Sequence, residues 1–156
     1  MASHRTSVTK GFSLIEILVV IGMLAIVGSF GLFLSMESFQ HSIFKNDRDL
    51  LIDALYKARA QSVNNMCFGT CSGGQPHGVH IGNGAYTVFQ GLSYTAGDPQ
   101  NEVTAANPGT TVTGATDIVF DRISGITTPV TLTVTSVNGQ TSTISVRTEG
   151  GIGWTQ

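Results

Sequence analysis

From Ile17 to Leu34 the chain carries no charged side chain, and the surrounding run Phe12–Leu34 reads FSLIEILVVIGMLAIVGSFGLFL. A helix needs about 20 apolar residues to cross the hydrocarbon core of a bilayer, so this stretch predicts a membrane-spanning helix over residues 12–34. A cleavable secretory signal has an apolar region of only about 7–15 residues, followed by a small-residue cleavage site. The run here is too long, and no convincing A-x-A site follows it. Arg5 and Lys10 precede the run, and Glu37 is the first charge after it. Cations mark the cytoplasmic flank of a span. The topology expected is a single pass in the cytoplasmic (inner) membrane, with a cytoplasmic N-terminus and an exported remainder.

Only 12% of the 156 residues are charged, about half the usual share for a globular domain. Most of the charge outside the N-terminus lies between Glu37 and Arg59. The formal net charge is −2, and Arg122 and Arg147 are the only Lys or Arg residues after Arg59. That is too few for a phosphate track, which argues against nucleic acid as a partner.

Glu16 interrupts the apolar run. A carboxylate costs about 2.5–3.5 kcal/mol at mid-bilayer and less near an interface, so it calls for a cationic partner. The stretch Lys10-Gly11-Phe12-Ser13-Leu14-Ile15-Glu16-Ile17-Leu18-Val19-Val20-Ile21 combines a short basic leader, a glycine, a phenylalanine and a glutamate four residues on, then unbroken apolar sequence. In this it resembles the prepilin signal of type IV pilins and type II secretion pseudopilins.

The resemblance implies a mechanism. A prepilin peptidase would cut between Gly11 and Phe12 and methylate the new amine. Residues 1–11 would then be a cleaved leader, and the Phe12 amine the cation that Glu16 lacks. In such filaments Glu16 of an incoming subunit pairs with Phe12 of a neighbour already in place. A charge pair in a low-dielectric core is weakly screened, and an unpaired carboxylate there is costly, so the pair rewards correct register. Presence of the glutamate favours a subunit within the shaft or just below the tip. The partners implied are the peptidase, other pilin or pseudopilin subunits, the inner-membrane assembly platform, and membrane lipid before assembly. The destination implied is an extracytoplasmic filament or the cell surface.

Ser35–Asn64 holds no Pro or Gly, and Phe44, Leu51, Leu55 and Ala58 recur at helical spacing. One helix is therefore predicted from Phe12 to Asn64, with a membrane-spanning half (12–34) and an amphipathic half (35–65). Lys45, Asp47, Arg48, Asp49, Asp53, Lys57 and Arg59 read as its solvated face. Gly22, Gly28 and Gly31 fit either close helix packing or local melting during assembly.

Residues 66–156 shift to a period of two. Val79–Ile81 and Ala85–Phe89 flank Asn83-Gly84, a hairpin signal. Val130–Thr135 and Thr143–Arg147 flank Asn138-Gly139, and Asp117–Phe120 is a further strand. Ser93–Thr116 reads as a long loop. The fold class predicted is α+β, type IV pilin-like: a long N-terminal helix packed on one antiparallel sheet of about five strands. Ala54-Leu55 with Ala58-Arg59-Ala60, and the glycines after the last strand, are similar to the minor pseudopilin H of type II secretion. The function expected is that of a structural, minor subunit. The other readings are a DNA- or ligand-binding minor pilin and a membrane-anchored exported domain that does not assemble.

Cys67 and Cys71 bracket a turn in a Gly-rich segment, and in an exported domain such a pair reads as a disulfide. The alternative adds His77 and His80 as zinc ligands. Strand alternation opposes it by placing His80 on the face away from Val79 and Ile81. No nucleophile elbow, zincin motif, P-loop or dinucleotide fingerprint is present, so neither an enzyme nor a cofactor is expected. Trp154 reads as a core-edge aromatic, the alternative being an exposed binding aromatic.

Overall fold

The computed structural model describes residues 12–82 and 84–155, and the side chains of all of these but 30–40. The expected leader 1–11, with Gly11, lies outside the described residues. The chain divides into two compact units, Met1–Phe39 and Gln40–Gln156. Helix α1 (Leu14–Val63) contributes to both.

The helix begins after Ser13, whose carbonyl accepts the N–H groups of Glu16 (3.0 Å) and Ile17 (3.3 Å). It ends where Asn65 turns left-handed (φ 54°) and the Met66 N–H returns to the Gln61 carbonyl at 3.0 Å. Asparagine tolerates that conformation better than other non-glycine residues, so Asn64-Asn65 is a chemically apt stop.

In the second unit, eight strands form two four-stranded antiparallel sheets. The strands are β1 (His77–Gly82), β2 (Ala85–Gln90), β3 (Glu102–Ala105), β4 (Thr110–Thr113), β5 (Asp117–Phe120), β6 (Val130–Ser136), β7 (Thr141–Val146) and β8 (Ile152–Thr155). The first sheet runs β3-β2-β1-β5 and the second β4-β6-β7-β8. Phe44, Leu51, Leu55 and Ala58 of α1 meet Val79, Val88, Ile118 and Phe120 of the first sheet and Leu132, Val134, Ile144 and Val146 of the second in one core. The face of the second sheet away from that core carries threonines in register: Thr113, Thr133, Thr143 and Thr155 form one cross-strand row.

This architecture corrects the expected fold class. The single sheet of about five strands is replaced by two sheets, because β3 and β4 lie inside the stretch read as a loop and β8 lies beyond the last strand expected. β3 and β8 are edge strands of only four residues, and every side chain of β3 is exposed. Backbone pairing to β2 and β7 defines them, so the apolar alternation that marks a half-buried strand is missing.

The membrane span is corrected as well: among the described residues, no helix is long and apolar enough to cross a membrane. Within the expected span 12–34, side chains are described for residues 12–29. The rest of the expected span 12–34 reaches side chains outside the described residues. The membrane-spanning half of the helix, and with it the single-pass placement in the cytoplasmic membrane, therefore does not stand.

Two charges assigned to a solvated helix face are also buried. Asp47 is fully enclosed and Arg48 nearly so. Asp47 falls on the stripe of Phe44 and Leu51, three residues after one and four before the other, and its position there was the available signal.

Candidate assembly surface

Within the first unit, every described large apolar side chain from Phe12 to Val27 is exposed, from 48% at Ile17 to 81% at Leu14. At 100° per residue, Leu14, Ile15, Ile17, Leu18, Val19, Val20 and Ile21 already point to all sides of the helix. A helix that is apolar all round belongs inside something, and contiguous apolar patches beyond a few hundred Å² mark interaction surfaces. Added side chains at Gly22 and Gly28 would meet nothing within 4 Å, so neither glycine is required by packing inside the chain.

Glu16 is the one charge among the described residues of this segment, and it lies in the first helical turn. Backbone N–H groups left without helical partners concentrate positive potential there, which favours a carboxylate. The Ser13-Leu14-Ile15-Glu16 spacing also matches that of a capping box. Glu16 is exposed, and so is Phe12 four residues earlier. In the single chain both are open to solvent, so any pairing between them across subunits would form as water is excluded.

The cysteines of the second unit are joined: Cys67–Cys71 is a disulfide with Cα atoms 6.2 Å apart. The zinc set does not assemble. Among the described residues, no group of three His, Cys, Asp or Glu side chains could hold a metal ion. The two histidines occupy opposite faces of β1. His77 shares the inner face with Val79 and is buried. His80 lies on the outer face, where Nδ1 meets Asp117 Oδ1 at 2.6 Å and Tyr94 stacks on the ring at 3.8 Å between centroids.

Arg122 donates to the Gly74 carbonyl at 3.1 Å, so one of the two late arginines already serves the fold. Trp154, expected at a core edge, sits on β8 opposite Ile144 and is half exposed.

Sequence reading missed the polar anchors of the second unit. Asp47 accepts hydrogen bonds from the Tyr86 hydroxyl and the Asn107 N–H, each at 2.8 Å. Gln90 clamps Phe68 by accepting from its N–H (2.6 Å) and donating to its carbonyl (3.2 Å). Gln90 shows no sequence signal, since its role depends on a partner 22 residues away.

No protein-family model matches the chain, and no curated protein or solved structure shows significant similarity to it.

Proposed function

We propose that the chain is a minor structural subunit of a type IV pilus or type II secretion pseudopilus. In this reading a prepilin peptidase processes it between Gly11 and Phe12, and it assembles through its N-terminal helix. The observation that carries the reading is the helical surface from Phe12 to Val27, apolar on every side and exposed on every side. A two-partner contact covers one stripe of a helix; a surface apolar all round is covered only when several neighbours surround it. Helices of other subunits supply such neighbours.

Glu16 gives that packing a register. While exposed it is solvated. Once neighbouring helices exclude water, a carboxylate without a counter-charge becomes costly, and a freed Phe12 amine on the next subunit offsets the cost. The peptidase and the neighbouring subunits are thus the partners of this reading.

The test is the intact mass and N-terminal peptide of the protein in sheared filaments of its host. A methylated N-terminus at Phe12, together with loss of filament incorporation in Glu16→Ala, is the expected result. An intact N-terminus at Met1 or Ala2, or unchanged incorporation of Glu16→Ala, rejects the assembly role.

A further inference from the structure

His77 opens β1 with only 1% of its surface exposed, and neither Nδ1 nor Nε2 has a hydrogen-bond partner. Its main chain is held firmly. The His77 N–H donates to the Ser62 hydroxyl at 2.8 Å, and that hydroxyl donates to the Phe120 carbonyl at 3.0 Å. Above the imidazole lies the disulfide loop, with the Phe68 ring edge-on at 5.7 Å between centroids.

The loop's holds on the rest of the unit are a handful. Its ends are fixed by the Met66 N–H to the Gln61 carbonyl (3.0 Å) and the Gly91 N–H to the Pro76 carbonyl (2.8 Å), and between them stand the Gln90 contacts to Phe68 and to Cys71 Sγ, and Arg122 to the Gly74 carbonyl. A segment attached by a handful of hydrogen bonds can open without the rest of its domain.

We propose that residues 66–76 form an acid-released cover, in which protonation of His77 unseats the disulfide loop and bares Phe68. A neutral imidazole fits the buried seat, whereas an imidazolium puts a charge and two N–H donors where only the Gln75 carbonyl is placed to accept. Opening the loop returns that charge to water.

The groups facing His77 do not neutralise it. β2 and β5 place Gln90 and Phe120 opposite it in register, both uncharged. From α1 comes the uncharged Ser62, bonded to the His77 main chain, and from the loop come Phe68 and the Gln75 carbonyl. The charge acting on it is Glu102 of β3, already engaged by Lys57 and Gln61 of α1.

Burial lowers the His77 pKa from its ordinary 6.5, against weaker opposing pulls from the Gln75 carbonyl and from Glu102. The closed form therefore binds fewer protons than the open one. Closure is fully favoured above pH 6.5 and weakens as pH falls below it, by at most about tenfold per pH unit for one proton.

The experiment is amide hydrogen exchange of the full chain in mild detergent at pH 7.5 and 5.5, corrected for intrinsic rates. The opening constant of 66–76 should rise at the lower pH, by up to about tenfold, while amides of β6 and β7 keep theirs, and His77→Phe should abolish the rise. An unchanged loop, an equal rise in β6 and β7, or a rise that survives His77→Phe overturns the proposal. Should His77→Phe fail to fold, the imidazole titration of the unsubstituted chain decides: a midpoint below 6.5 supports the cover, and one at or above 6.5 overturns it.

Discussion

The Tyr86 hydroxyl donates a 2.8 Å hydrogen bond to Oδ2 of Asp47, tying the middle of β2 to the buried stripe of α1. Oδ1 of the same carboxylate accepts the Asn107 N–H at 2.8 Å, so one enclosed carboxylate fastens a helix, a strand and the β3–β4 connection. Burial, reinforced by Asp47, drives the phenol pKa far above its ordinary 10.0 and keeps the hydroxyl a donor.

Truncating the acceptor should cost more than truncating the donor. Tyr86→Phe removes one hydrogen bond to a charged group, an effect of about 1.5–3 kcal/mol. Asp47→Ala strands two donors and should cost about 3–5 kcal/mol, as breaking a buried charged network does. Urea unfolding of the full chain measures both. Equal, small losses would show that Asp47 is dispensable to the fold.

Glu102 predicts a shallow acid limb. The hydrogen bond from Lys57 is the main influence holding its carboxyl below the ordinary 4.5, so the pair stabilises above that pH and fades as pH falls through the lowered value. Both side chains are about half exposed, so the effect is small and screened by salt. Glu102→Gln should flatten the stability profile between pH 5 and 3 at low salt and change little at about 1 M salt, where the Debye length is roughly 3 Å. A profile identical to that of the unsubstituted chain at low salt counts against the pair.

Removing the Cys67–Cys71 cross-link should destabilise the second unit by about 2 kcal/mol, the chain-entropy effect of closing a loop this short. The loss should be local. In the Cys67→Ser, Cys71→Ser double variant, hydrogen exchange should quicken at Phe68, whose N–H is held by Gln90. Protection at Phe68 equal to that of the bonded chain would mean the clamp suffices without sulfur.

Gly150 is held at φ +75°, and a Cβ there would sit 2.6 Å from Nε of Arg59 and closer still to the Gly125 carbonyl. Gly150→Ala combines left-handed strain with overpacking against backbone and should cost about 2–4 kcal/mol. A thermal midpoint within a degree of the unsubstituted chain would show that the 147–151 turn relaxes freely.

Period and turn chemistry made several elements legible. Phe44, Leu51, Leu55 and Ala58 recur at helical spacing, and all four are buried. Alternation in Val130–Thr135 and Thr143–Val146 puts Leu132, Val134, Ile144 and Val146 inward, with threonines opposite. Such strands announce themselves because one face is dry. β3 is wet on both faces and short, so nothing along its own residues separates it from loop. The candidate surface was legible for a related reason: a run apolar on every side needs no partner within the chain to be recognised.

The sequence by itself determined the apolar N-terminal surface with its single carboxylate, the helical stripe and the central hairpin strands, because each follows from the local order of apolar and polar residues. Only the tertiary structure decided that eight strands divide into two sheets, that Asp47 is a buried anchor rather than a solvated charge, and that Asp117 meets His80. Those outcomes depend on which distant backbone or side chain supplies a hydrogen-bond partner. Tyr86 lies 39 residues from Asp47, and Asp117 lies 37 from His80. Local propensity carries no information about contacts at that range, whereas the cost of burying an unpaired polar group enforces them once the chain is folded.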